Sequence, residues 1–123
     1  MRVTLFDCPI DIVTMDEAID RVRDAMASKT QLHHVAMNVA KMVNMRSDAE
    51  LAADVKAGHL VTIDGMGIAY ALKLRGHSVP GRVTGIDLME QVVGLCAREG
   101  RRPYLLGAKP AIVRKVACLL YTS

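Results

Sequence analysis

The apolar positions of this chain switch repeatedly between the unbroken or alternating runs of strands and the three-and-four spacing of helices. Arg2 to Phe6 alternates enough to be a strand, and Cys8-Pro9-Ile10-Asp11 reads as the break after it. Thr14-Met15-Asp16-Glu17 matches a capping box, in which the Thr14 hydroxyl and the Glu17 carboxylate satisfy amides at a helix start. Met15, Ala18, Ile19, Val22, Ala25 and Met26 follow as one apolar stripe, which predicts a helix from Met15 to about Ala27. Leu32 to Met37 reads as the next strand, with Asn38 placed to cap a helix from Val39 to about Arg46. Ser47-Asp48-Ala49-Glu50 is a second capping box, and Gly58 the expected left-handed stop of the helix it opens.

His59 to Leu74 organises the rest. His59-Leu60-Val61-Thr62-Ile63 is short, apolar and rich in β-branched residues, so it predicts a buried strand. Ile68, Ala69, Leu72 and Leu74 then take helical spacing, with an end expected near Arg75-Gly76. Asp64 therefore sits where a strand ends and a helix begins, and Gly65 and Gly67 allow backbone to approach a ligand closely. In open α/β sheets, ligands bind beyond the carboxyl ends of the strands. An Asp at such a place is also a common helix N-cap, so position alone does not make Asp64 a catalyst.

Between Gly76 and Gly85 lies a loop with Pro80-Gly81 as its turn and Arg82 as its cation. Ile86, Met89, Val92, Val93 and Cys96 form another helical stripe, closed by Gly100. Pro103-Tyr104-Leu105-Leu106 predicts a short buried strand, and Gly107-Ala108-Lys109-Pro110 a turn into a last helix over Ala111–Leu120. Alternating strands and helices predict an α/β fold, Rossmann-like, with a mainly parallel sheet flanked by helices. Only Tyr121-Thr122-Ser123 follow the last helix, so the sheet is expected to be incomplete at the C-terminus. The expectation is a single domain over residues 1–123 that continues in a longer protein.

Composition narrows the classes. The chain has 123 residues, enough for one domain with a core. Its formal charge is only +3 with basic and acidic residues interspersed, which argues against nucleic acid as a partner. Cys8, Cys96 and Cys118 are far apart without a paired motif, so buried free thiols are expected rather than disulfides or a zinc site. No signal-peptide layout or membrane-spanning run is present in the sequence, which predicts a cytoplasmic protein.

Asn38, Asp64, Arg82 and the Gly107 turn fall at strand ends or loops expected on one rim. Such a set suits an anionic small molecule: a carboxylate as base, a guanidinium for a diphosphate, amides for phosphate. Each also has a plain structural reading, as cap, surface ion pair or ordinary turn. His33 and His34 are adjacent on a strand and point to opposite faces, so they cannot chelate one metal together. His59 and His77 lack partners at ligand spacing and read as structural; no metal is expected. The eight Met residues lie mostly on helix stripes as core filling, and Gly65-Met66-Gly67 is too short for a dinucleotide fingerprint.

The segments HHVAMNVAKMV, DVKAGHLVTIDGMGIAYALKLRG, GRVTGIDLMEQV and PYLLGAKPAIVRKVA, in that order, resemble the WecG/TagA/CpsF glycosyltransferases, family 26 of the sequence-based classification. The resemblance spans nearly the whole chain and is most specific at DGMGI followed by RVTGIDL. It implies transfer of an N-acetylmannosamine-type or related hexosyl unit from a UDP-sugar to a polyprenyl-diphosphate-linked sugar. The setting it implies is synthesis of wall teichoic acid, enterobacterial common antigen or exopolysaccharide. By the same resemblance Asp64 is the general base, and Asn38, Gly65, Arg82, Asp87 and Gly107 bind substrate, without metal or other cofactor. The family commonly carries Thr-x-Asn where this chain has Ala36-Met37-Asn38, which leaves donor or acceptor identity open. Its members continue through a glycine-rich segment to a basic part linked to membrane docking. That implies a fragment of low activity, peripheral contact with the inner face of the plasma membrane through the missing part, and self-association into a homo-oligomer. The alternative is a non-catalytic nucleotide- or sugar-binding α/β module or subunit.

Overall fold

The chain begins with a hairpin in which β1 (Arg2–Leu5) pairs antiparallel with β2 (Cys8–Asp11). Leu5 pairs with Cys8, so only Phe6 and Asp7 turn the chain, both with positive φ (49° and 63°). Two positive φ values are what a type I′ hairpin turn demands. Cys8–Asp11 is thus a strand and not the expected break. Pro9 is tolerated because Thr4 and Pro9 form a pair whose backbone N–H groups face away from each other. The computed structural model describes residues 1–122, with side chains through Leu120. It divides into two compact units, Met1–Leu88 and a second beginning at Met89.

Helix α1 (Met15–Ser28) opens with the expected capping box: Thr14 Oγ1 accepts the Glu17 N–H at 3.1 Å, and Glu17 Oε1 accepts the Thr14 N–H at 3.2 Å. β3 (His34–Met37) runs parallel to β4 (Leu60–Ile63), with His34 beside Leu60 and Met37 beside Ile63. Between them come α2 (Val39–Asn44) and α3 (Ala49–Lys56). The cap of α3 is Asp48, whose Oδ1 accepts the Leu51 N–H at 2.9 Å, one residue later than the expected Ser47 box. Gly58 is not a left-handed stop. A Cβ there would lie 3.1 Å from the Val55 carbonyl and 3.2 Å from both Val35 and Val61, so close packing selects glycine.

α4 (Met66–Leu74) follows β4 and ends, as expected, at Arg75 and Gly76 (φ 86°). Val35, Met37, Val61 and Ile63 face a core shared with Leu5, Ile10, Val55, Ile68, Ala69 and Leu72. The first unit is therefore a mixed α/β body built on one antiparallel and one parallel pair, in place of the mainly parallel sheet expected.

One carboxylate joins the two pairs. Arg2 and Asp11 face each other in the hairpin at a position without backbone hydrogen bonds, where side chains come closest. Arg2 Nε donates to Asp11 Oδ1 at 2.9 Å and Arg2 Nη2 to Oδ2 at 2.8 Å. The Val61 N–H of β4 donates to the same Oδ2 at 2.7 Å. Arg2 Nη2 also reaches the carbonyls of Gly58 (3.1 Å) and His59 (3.2 Å), and Arg21 donates to the His59 carbonyl. Asp11 is 4% exposed. Burial is the largest influence on its carboxyl and pushes the pKa up, but the Arg2 hydrogen bonds, the Val61 N–H and the charges of Arg2 and Arg21 outweigh it and hold it below the ordinary value.

α5 (Gly85–Glu99) begins in the first unit and continues in the second. Its buried residues are Leu88, Leu95 and Cys96, while Ile86 and Met89 are exposed, so the inward stripe is rotated from the expected one. Gly100 (φ 69°) closes it, and the Arg101 N–H bonds to the Cys96 carbonyl at 2.8 Å. Pro103–Leu106 is not a strand: Tyr104 and Leu106 are 86% and 88% exposed, and no strand among the described residues pairs with the segment. α6 (Pro110–Thr122) starts with Pro110 in its first turn, as expected, and Ser123 lies outside the described residues. Cys8 and Cys96 are buried free thiols, but Cys118 is exposed.

Replacing Asp11 by Ala strands the Val61 amide and uncouples Arg2, which is 41% exposed and so partly screened by water. The expected loss at neutral pH is about 2–3 kcal/mol of unfolding free energy, measured by urea titration. Because the folded-state pKa is lowered, this contribution is present above the ordinary Asp value. It fades as the pH falls below about 4 through the lower folded value, so parent and variant converge in acid. A second expectation concerns Gly65, which has φ 98° and ψ 155°, a region open essentially to glycine alone. Gly65→Ala is expected to lower stability by about 1–3 kcal/mol even though a Cβ there meets nothing within 4 Å. An unchanged urea midpoint would show that the segment relaxes.

Candidate functional site

Parallel pairing brings Asn38 and Asp64 to one end of the β3–β4 pair, since Met37 and Ile63 are partners and each is followed by one of the two. The Asp64 N–H donates to the Met37 carbonyl at 2.8 Å, extending the ladder by one bond. Asn38 caps α2 as expected: its Oδ1 accepts the Lys41 N–H at 2.8 Å. That use of the oxygen leaves the Asn38 amide NH₂ as the group available to a ligand.

Asp64 does not behave as a cap. The N-cap of α4 is Gly65, which makes no side-chain bond, and its extended positive-φ backbone carries the chain into the helix. The Asp64 carboxylate is half-buried and accepts no hydrogen bond among the described residues. The next residue of interest, Gly67, faces Val39 of α2 so closely that a Cβ would collide with the valine methyl. Both glycines of Asp-Gly-Met-Gly thus serve local geometry, one by conformation and one by space.

Arg82 reaches the same end of β4 through its neighbour. The Val83 N–H donates to the Ile63 carbonyl at 3.0 Å, and Thr62 Oγ1 donates to the Val83 carbonyl at 2.8 Å. Val83 is buried, and Arg82, one residue before it, is exposed with no ion pair among the described residues. The ordinary surface ion pair is therefore not what holds Arg82 in place. Thr84 Oγ1 accepts the Asp87 N–H at 3.2 Å and the Thr84 carbonyl accepts the Leu88 N–H at 3.0 Å, which starts α5 and puts Asp87, exposed, in its first turn. The opening residue Gly85 lies against Ala36, with its Cβ direction 3.6 Å from the Ala36 methyl.

Asn38, Asp64, Gly65, Arg82 and Asp87 all belong to the first unit. Gly107 (φ 120°) lies in the second, in the exposed connection between α5 and α6, followed by Ala108 with φ 58°. In the first unit a carboxylate, an amide and a guanidinium are carried after β4, after β3 and on the segment before α5. A free carboxylate can take a proton from a hydroxyl held against it, and an exposed guanidinium can pair with phosphate oxygens.

Two polar residues of this region, Thr62 and Lys41, were not singled out by sequence, and His34 was weighed there only as a metal ligand. Thr62 is completely buried in β4. His34 Nε2 lies 2.7 Å from Thr62 Oγ1. Lys41 Nζ donates to the Ala36 carbonyl at 2.9 Å. Burial, together with the nearby charges of His33 and Lys41, pushes the His34 pKa down, while Asp64 pulls the other way. His34, Ala36, Leu60 and Thr62 share one face of the pair, opposite the apolar core. His59 is structural, as expected: its Nδ1 accepts the His33 N–H at 2.9 Å.

The Glycosyl transferase WecG/TagA/CpsF family model matches residues 3–122. Nearly the whole chain is covered, including both units and every candidate residue above. The chain belongs to the WecG/TagA/CpsF family of glycosyltransferases.

Proposed function

We propose that this chain carries the acceptor-activating part of a hexosyltransferase, with Asp64 as general base. The observation that carries the reading is the unengaged carboxylate at the end of β4: a residue placed like a helix cap leaves that role to Gly65. In this reading the acceptor is a polyprenyl-diphosphate-linked sugar, and its hydroxyl donates a hydrogen bond to Asp64. As the hydroxyl oxygen bonds to the anomeric carbon of an N-acetylmannosamine-type UDP-sugar, its proton passes to Asp64. The bond from that carbon to the β-phosphate oxygen breaks, and UDP leaves with the electron pair. Attack from the side opposite UDP inverts the anomeric centre.

Arg82 offsets the charge that grows on the leaving diphosphate, a role that needs no metal ion in this scheme. The Asn38 amide NH₂ and Asp87 hold sugar hydroxyls, and Gly65 lets backbone approach the substrate. A Rossmann-like arrangement belongs to the same reading, because β3 and β4 are each followed directly by a helix at the end where ligands of parallel sheets bind. A lipid-linked acceptor implies work at the inner face of the plasma membrane. No helix among the described residues is long and apolar enough to cross a membrane.

Asp64→Asn in the full-length product of the locus is expected to lower kcat for sugar transfer by about 10²–10⁴-fold. Its unfolding midpoint should stay within experimental error of the parent, because the carboxylate has no hydrogen bond or ion pair to lose among the described residues. Transfer retained at the parental rate would remove Asp64 as the base.

A further inference from the structure

A fully buried threonine inside a strand of otherwise apolar residues needs a reason, since an unbonded hydroxyl in that place would be costly. Thr62 is 0% exposed and both hydrogen-bonding capacities of its hydroxyl are used. The directions follow from chemistry alone. The Val83 carbonyl can only accept, so the single Thr62 proton goes to Val83. The ring nitrogen 2.7 Å away must then be the donor, which assigns the proton of His34 to Nε2. A chain of two bonds runs from His34 through Thr62 to Val83, and a second tie, Val83 N–H to the Ile63 carbonyl, fixes the same residue from its other side.

Val83 is the residue between Arg82 and the Thr84 cap of α5. His77 is tied back to α4 by its N–H to the Leu72 carbonyl at 3.0 Å; beyond it, Val83 is the one residue of 78–83 with a backbone hydrogen bond to another element among the described residues. Arg82 itself has no ion pair or hydrogen bond there to orient it.

The geometry points to His34 and Thr62 as positioning residues that set Arg82 at the end of β4 and thereby tune binding of a diphosphate group. Neither touches the ligand; both act through the Val83 carbonyl. This assignment rests on the proposed role of Arg82, and its test separates the two.

The clamp is read by amide hydrogen exchange in the full-length protein. Thr62→Val, which keeps the shape of the side chain, and His34→Ala are each expected to speed exchange of the Val83 amide by about fivefold or more, with the Asp64 amide unchanged; Thr62→Ser restores protection. Unchanged exchange at Val83 overturns the clamp. Its consequence is read by calorimetric titration with UDP. Thr62→Val is expected to weaken UDP binding about three- to tenfold in the parent and by less than twofold in an Arg82→Ala background, because the residue being positioned is then absent. Equal losses in both backgrounds would mean a general structural role and overturn the positioning assignment. If Arg82→Ala binds UDP as the parent does, the functional role of Arg82 fails, and with it the assignment of His34 and Thr62 to diphosphate binding, while the exchange result still stands for the clamp.

Discussion

Among the described residues β4 has a neighbouring strand on one side only, and the fold depends on how its other edge is closed. A third strand would ordinarily supply the acceptors and donors. Here the Val61 N–H is met by the carboxylate of Asp11, and the Ile63 carbonyl by the N–H of Val83. Asp11 thus holds the hairpin against β4 while Arg2, bound to both its oxygens, also fastens the Gly58-His59 turn that leads into the strand. A carboxylate taken this far from water is tolerable because each oxygen is occupied by a charged or backbone donor. The entry and the middle of β4 are set by that one residue, and its exit, where Asp64 stands, by Val83.

Local signals were legible in the sequence and long-range ones were not. The Thr14–Glu17 box, the Asn38 cap and the strand-to-helix change at Asp64 each depend on residues within a few positions, and each is found where expected. The hairpin escaped because Phe6-Asp7 lacks the Asn-Gly or Asp-Gly chemistry that announces a type I′ turn, while Cys8-Pro9 looks like a breaker. Pro9 is harmless only because of which way its nitrogen points, a matter of register with Thr4. Gly58 has the position of a helix stop, but its real constraint is the proximity of Val35 and Val61, brought there by pairing across β3 and β4. Pro103–Leu106 has the composition of a strand, and composition alone does not provide a partner for one.

At the candidate site the division is the same. Asp64, Asn38 and Arg82 could be placed at strand ends or loops from pattern, but their engagement could not. Asn38 and Asp64 look equivalent in sequence, each following a strand and preceding a helix. The structure separates them: Asn38 gives its oxygen to a cap, whereas the unusual backbone of Gly65 relieves Asp64 of that duty. Thr62 drew no attention, and His34 was considered only as a metal ligand, for a related reason. A Thr in an apolar run reads as β-propensity, and a His at a strand start as incidental, until their bond across the pair is seen.

The two faces of the β3–β4 pair therefore do different work. One is apolar and continuous with the core, so it fixes the strands by packing, which tolerates small shifts in any one contact. The other carries His34 and Thr62, whose bonds are directional and fail as a unit if one member moves. Packing holds the strands and also reaches the segment after residue 76, through Val79 against the core and the buried Val83. Directional bonding to Val83 adds a second constraint one residue after the exposed Arg82. The end of β4 and the segment beside it are thus held by both kinds of restraint, which enter from opposite faces of the same two strands.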